Sequence, residues 1–243
     1  MKFATLSAVI LAMGLIVSCS KTPPQTTEKS KSTQTSTMST PNPGTTPTDA
    51  KAVPQSAAPA PNQLTPPTKD EVGAPDEVAV IETEWGDIVV EFFPDVAPLH
   101  VANFKKLTRA GFYDGTTFHR VLPGFVIQGG DPNTKDSNPN NDGMGGPPYR
   151  VPDEFNNRLH EHGILSMAHS SEPNSAGSQF FICLGRTPHL DNQYTVFGKV
   201  IKGLDVVDKI GALRRDPSNP HDRQLPAVRM RHVKILKKSE LGL

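Results

Sequence analysis

Phe118-His119-Arg120-Val121-Leu122-Pro123-Gly124-Phe125-Val126-Ile127-Gln128-Gly129-Gly130-Asp131 is the stretch whose reading decides the fold. Apolar and aromatic residues alternate there with His119, Arg120 and Gln128, and Pro123-Gly124 supplies a turn between two short extended runs. Strand residues two apart share a face, so a hairpin here lays Arg120 along the same surface as Phe125 and Gln128 once the turn folds back. Gly177-Ser178-Gln179-Phe180-Phe181-Ile182-Cys183 has the same character, with Gln179 and Phe181 on one face and Phe180 and Ile182 on the other. Together the two stretches predict an apolar pocket edged by one cation and two amides.

Around them the chain reads as a succession of short strands. Val78–Thr83 and Ile88–Phe93 form a hairpin about Trp85-Gly86-Asp87, and a helix follows with Asp95 as its N-cap. Val101, Phe104 and Leu107 lie three apart on one face of that helix, which closes before Gly111. Residues 131–148 carry Gly, Pro, Asn and Asp throughout and read as a long loop. Further strands are expected at 163–168, 179–184, 195–200 and 228–236, with a short helix at 204–210. Many short strands with few helices argue for a closed antiparallel barrel, which leaves no unpaired edge.

The N-terminal part is different. The chain has 243 residues and 24 prolines, and eleven of those prolines precede Asp76, where no aromatic residue occurs between Phe3 and Trp85. Such a segment cannot bury a core and reads as a disordered linker. As a flexible coil of about 55 residues its ends average about 40 Å apart, and its removal up to Asp76 is expected to leave the domain's stability unaltered. Ahead of it, Lys2 and an apolar run through Val17 read as an export signal, too short for a membrane span. That run ends in Ile16-Val17-Ser18-Cys19, which resembles the bacterial lipobox and marks Cys19 for lipidation. The alternative is an ordinary signal peptide with an incidental cysteine. The only other cysteine, Cys183, sits in an apolar run and reads as a buried free thiol. The expected division is therefore 1–18 signal peptide, 19–76 linker and 77–238 folded domain.

Composition and motifs exclude other chemistries. Formal net charge is zero, which gives no electrostatic case for nucleic acid. Arg229, Arg231, Lys234, Lys237 and Lys238 alternate with apolar residues as the outer face of a strand. No G-x-S-x-G, G-x-x-x-x-G-K-[ST] or H-E-x-x-H pattern occurs. His160-Glu161-His162 is the one metal-like cluster, and with no third ligand in view a solvated loop is the plainer reading. No metal or cofactor is expected.

Phe118-His119-Arg120, Pro123-Gly124-Phe125, Gln128–Asp131, Gly163–Ala168, Gly177–Phe181 and Val196-Phe197-Gly198-Lys199, in this order, resemble the cyclophilin-type peptidyl-prolyl isomerases from about Val78 to Leu236. The resemblance implies a mainly β fold, an eight-stranded antiparallel barrel capped by two helices. It implies Arg120 as the catalytic arginine, with Gln128 beside it. It also implies substrate contacts at Phe125, Val126, Ala168, His169, Gln179, Phe181, His189, Leu190 and Tyr194, with Ala168 and the backbone of His169 gripping the peptide. Val126, His169, His189 and Tyr194 depart from the commonest family residues. The implied partners are proline-containing segments of folding proteins, reached by a monomer held through Cys19 at a bacterial envelope membrane. A module that merely holds proline peptides in the same groove is the alternative.

Overall fold

A computed structural model describes residues 63–213 and 227–243. The expected signal peptide, Cys19 and the linker through residue 62 lie outside these residues. Eight strands run β1 Glu77–Thr83, β2 Gly86–Phe92, β3 Thr117–Leu122, β4 Val126–Gly129, β5 Ile164–Met167, β6 Phe180–Cys183, β7 Val196–Lys202 and β8 Val228–Lys237. They close into an antiparallel barrel in the order β1-β2-β7-β5-β6-β4-β3-β8. Two helices pack against it, α1 Pro98–Arg109 and α2 Leu204–Gly211. The closed barrel and its two helices are the architecture expected from the sequence.

One face of each strand fills the barrel. Ile81, Ile88, Val90, Phe118, Ile127, Leu165, Phe180, Ile182 and Phe197 are buried in a single core, which Phe104 of α1 joins. Phe104 stacks on Tyr113 at 4.9 Å and meets Phe180 edge-on at 5.3 Å, so the helix is fixed by aromatic geometry as well as by area. Val101, Phe104 and Leu107 are fully buried, as their spacing predicts.

The cap of α1 differs from expectation. Asp95 lies outside the helix and pairs with Arg158 at 2.9 Å, while Ala97 occupies the N-cap without a side-chain bond. The Leu99 and His100 amides instead donate to the Glu154 carboxylate at 3.1 and 3.0 Å. A carboxylate far along the chain thus satisfies the orphan donors that a local cap would take, and it also sits at the positive end of the helix dipole. Pro98 at the first helical position has no N–H to satisfy.

The folded part also begins earlier than the composition indicates. Leu64 is only 8% exposed and belongs to the main core, and Val72 packs against it. Lys105, almost fully buried on α1, donates to the Val72 and Ala74 carbonyls at 2.8 and 3.2 Å and pairs with Glu77 at 2.9 Å. Lys106 reaches Thr65 Oγ1 at 3.0 Å and Glu71 at 2.9 Å. Residues 63–76 therefore pack on the domain, contrary to the reading that nothing before Asp76 can do so. At the other end, a 3-10 turn over Lys238–Leu241 packs Leu241 on Val78, Val80 and Val89, beyond residue 238.

Candidate active site

A bulge sets the aim of Arg120. Phe118 pairs with Gly129 and Arg120 with Gln128, so His119 is an extra residue in β3. Phe118 and Arg120 are two apart and in a regular strand would share a face. The bulge inverts the parity, leaving Phe118 and Val121 in the core and Arg120 on the outer wall beside Gln128. The hairpin turn at Pro123–Phe125 is closed by the Phe125 amide donating to Leu122 O at 2.9 Å.

The same outer wall carries a second apolar cluster separate from the barrel core. Val126, Phe181, Cys183 and Leu190 are buried in it, and Phe125, Ile164, Ala168 and Tyr194 pack on it half-exposed. Period-2 alternation explains the membership. In β4, Val126 and Gln128 face out while Ile127 faces in; in β6, Phe181 and Cys183 face out while Phe180 and Ile182 face in. Tyr194 meets Phe181 edge-on at 5.6 Å, and His189 stacks on Phe125 at 5.3 Å from the exposed side. All the apolar residues expected to line a proline pocket are brought together.

The polar edge is a relay with one orientation. Gln179 Nε2 donates to the carbonyls of Gly143 and Gly145, both at 2.9 Å. Two carbonyls can be met only by the amide nitrogen, so Gln179 Oε1 must turn to Gln128, whose Nε2 donates to it at 3.0 Å. Gln128 Oε1 is thereby left facing Arg120, whose Nη1 donates to it at 3.4 Å. The 143–145 loop thus orients the guanidinium through two amides. Gly130, at φ +87°, follows β4, and a side chain there would meet Ser178 O at 2.5 Å. That close approach lets Ser178 Oγ donate to Gly130 O at 2.7 Å and locks Gln179 beside β4. Beyond the two glutamines a groove of about 890 Å³ continues past Met144 and Arg150 to Ala168 and His169.

Ala168 donates its N–H to Gln179 O at 2.9 Å, which holds the Ala168-His169 edge alongside the relay. His169 is placed as firmly by its ring as by its backbone. Its Nδ1 and Nε2 lie 2.6 and 2.8 Å from the carbonyl oxygens of Ser170 and Gln193, and its face stacks on Tyr194 at 4.3 Å.

The floor of the pocket holds residues that the sequence reading left in a solvated loop. His160 is fully buried and stacks on Phe181 at 5.9 Å. Its Nδ1 is 3.1 Å from Asp191 Oδ1 and its Nε2 is 3.0 Å from Ser166 Oγ. Burial lowers the imidazole below its usual pKa, against the opposing pull of Asp191. Arg186, hydrogen-bonded to Asp191, is the chief reason that carboxyl is lowered to about 2. His162 stays at the surface and pairs with Asp208 at 2.7 Å, so the two histidines do not converge. Among the described residues no group of three or more His, Cys, Asp or Glu is placed to hold a metal. The Cys183 thiol is buried and free, and burial pushes it up to about 11.

Comparison with known proteins agrees with this wall. The profile of the family described as cyclophilin type peptidyl-prolyl cis-trans isomerase/CLD matches residues 78–235. A peptidyl-prolyl cis-trans isomerase of Synechococcus elongatus is 49% identical over 140 residues, 54% of this chain and 91% of that protein. Peptidyl-prolyl cis-trans isomerase CYP18-1 of Arabidopsis thaliana is 42% identical over 157 residues, 64% of this chain and 93% of that one. Among solved structures, a Cryptosporidium parvum cyclophilin type peptidyl-prolyl cis-trans isomerase crystallised in the presence of the dipeptide Ala-Pro is 32% identical. It superposes with a TM-score of 0.59 over 66% of this chain and 99% of that one. From barrel order to the motifs of β3, β4 and β6, the chain belongs to the cyclophilin-type peptidyl-prolyl cis-trans isomerase family.

Proposed function

We propose that this protein accelerates rotation about X-Pro peptide bonds with Arg120 as its catalytic residue, acting on exported or envelope proteins from a lipid anchor at Cys19. The observation that carries the catalytic part is the joining of Arg120, through Gln128 and Gln179, to the edge of the apolar cluster of Val126, Phe181 and Leu190. Planar amide resonance sets a barrier of ~18–20 kcal/mol to rotation. Twisting the bond localises the nitrogen lone pair, so a donor aimed at that nitrogen gains little in the planar state and much in the twisted one. A hydrogen bond to a charged group nets about 1.5–3 kcal/mol, or roughly one to two powers of ten in rate. The remainder falls to the pocket: Phe125, Val126, Phe181, Leu190 and Tyr194 seat the ring while Gln179 and the Ala168-His169 backbone hold the preceding residue. Rotation is then confined to one bond. His189 covers the Phe125 edge of that seat. The Ala-Pro dipeptide present with the Cryptosporidium parvum relative is consistent with such a seat.

The test is NMR exchange spectroscopy on a saturating Ala-Pro peptide, which reports interconversion on the bound protein independently of affinity. Arg120→Ala should slow that exchange by more than about tenfold with a much smaller change in affinity. Exchange as fast as wild type would leave a peptide-holding module as the better reading. Localisation rests on Ile16-Val17-Ser18-Cys19, whose thiol would carry the lipid, and on the proline-rich segment that would hold the barrel away from the bilayer. Among the described residues no helix is long and apolar enough to cross a membrane.

A further inference from the structure

Phe155 is an aromatic side chain with no place in the core. It is 46% exposed, in the segment between the groove and β5. The residues on either side of it are nonetheless anchored: the Glu154 amide donates to Thr195 Oγ1 at 3.0 Å, and the Asn156 side-chain Nδ2 donates to Val196 O at 3.0 Å. Both anchors sit where the chain leaves Tyr194 for β7. The ring lies tilted at 6.1 Å from His169, which stacks on Tyr194 at 4.3 Å, which in turn meets Phe181 edge-on at 5.6 Å. A continuous row of rings therefore leads from the floor of the apolar pocket to the surface, along the edge where Ala168 and His169 border the groove. The His169 ring is held in this row by its two carbonyl contacts, so it cannot swing away to expose Tyr194 alone.

An exposed ring between anchored residues and beside a held ring costs a ligand less to order than one on a free loop. We propose that Phe155 and the His169 ring form a ledge that takes an aromatic side chain on the residue directly before the substrate proline. This rests on the isomerase reading of the pocket. Continuity fixes the occupant: with the proline ring against Phe181 and Tyr194, the ledge is the next apolar surface beyond Tyr194, on the side where Ala168 and His169 hold the preceding residue. Ring pairs in edge-on or offset geometry favour an aromatic side chain over an aliphatic one of equal area. The groove on the far side of Gln179 is lined chiefly by glycines, prolines, Met144 and Arg150, and its one ring beyond His169, Tyr149, packs on the main core with its hydroxyl tied to Asn103.

The experiment compares kcat/KM for Phe-Pro and Ala-Pro peptides that are otherwise identical. Wild type should prefer Phe-Pro by roughly two- to tenfold, the span of one aromatic contact. Phe155→Ala and His169→Ala should bring the ratio close to one, and Phe155→Tyr should restore it, which separates a lost contact from a damaged fold. An equal ratio in wild type and Phe155→Ala, or no preference in wild type, overturns the ledge. Binding is followed in parallel through the Phe155 ring resonances. If wild type isomerised neither peptide but those resonances still moved with Phe-Pro and not with Ala-Pro, the ledge would stand and the isomerase reading would fall. No turnover and no movement would overturn both.

Discussion

His160 shows how much of the site depends on a residue that touches no substrate in the proposed seat. Fully buried, it lies flat against Phe181 and ties Ser166 on β5 to Asp191 in the connection before Tyr194. Its pKa is lowered by burial, so below the ordinary histidine value near 6.5 the unfolded chain takes up a proton that the folded chain refuses. Stability should therefore fall as pH drops from about 6.5 toward the lowered folded value. Melting curves of wild type and His160→Gln between neutral and mildly acidic pH should converge on acidification as the wild-type contribution is lost; parallel curves would remove His160 from the account. Phe125 belongs to the same scale. It is half-exposed in the second cluster, so Phe125→Ala should lower peptide affinity and kcat/KM together, with a stability loss at or below the roughly 3–5 kcal/mol of a core phenylalanine. This contrasts with Arg120→Ala, where bound-state exchange should fall and affinity hold. Cys183, buried with its thiol pushed up to about 11, should react with thiol reagents at neutral pH only after unfolding, as a labelling time course with and without denaturant would record.

At the scale of elements, α1 gathers contacts that its own sequence does not announce. Glu154 caps its first turn, its buried Asn103 donates to Gly177 O at 2.7 Å and accepts from Tyr149 at 2.9 Å, and Lys105 receives the chain entering the domain. The helix thus joins the 63–76 segment on one side to the walls of the groove on the other. Truncation to Asp76 removes Leu64 from the core and leaves Lys105 without two of its carbonyl partners. It should lower the melting temperature by several degrees, since Leu→Ala changes in cores cost about 2–5 kcal/mol and each kcal/mol shifts a domain of this size by roughly 2–4 °C. A start at Gln63 should not. Leu64→Ala in the longer form should reproduce much of the loss; identical melting of all three would show that the segment adds nothing.

For the whole molecule, the barrel has no open edge, and among the described residues the main core and the pocket cluster lie on opposite faces of β4, β5 and β6. The pocket is the outer face of β4, β5 and β6, so loss of pocket residues and loss of fold are separable only where a side chain faces out, as Gln128 and Phe181 do. The proposed anchor acts at this scale too. Wild type should partition into detergent with lipid on Cys19, and Cys19→Ala should lose both the lipid and firm membrane attachment. Mass spectrometry showing an unmodified Cys19 in mature membrane-bound protein would sink the proposal.

Local sequence determined the barrel strands and the faces of β4 and β6, because alternation with period 2 is written into each strand without reference to its neighbours, while Ala168, Leu190 and Tyr194 are legible as pocket residues through family resemblance alone. It also determined the helical face of Val101, Phe104 and Leu107, for the same reason with period 3.6. Tertiary structure alone decided the rest. Arg120 emerges beside Gln128 as the hairpin alone predicts, but the bulge at His119 turns Phe118 into the core two residues away, and nothing in Phe-His-Arg states whether the pairing strand will skip a residue. His160 reads as loop by its polar neighbours and becomes pocket floor only because Ser166 on β5 and Asp191, 31 residues away, meet its two ring nitrogens. Asp95 loses the helix cap to Glu154 because a carboxylate delivered by a remote loop reaches two amides at once. Leu64, one apolar residue among prolines and threonines, is buried because α1 offers it a place, and a single residue has no periodicity from which that place could be read.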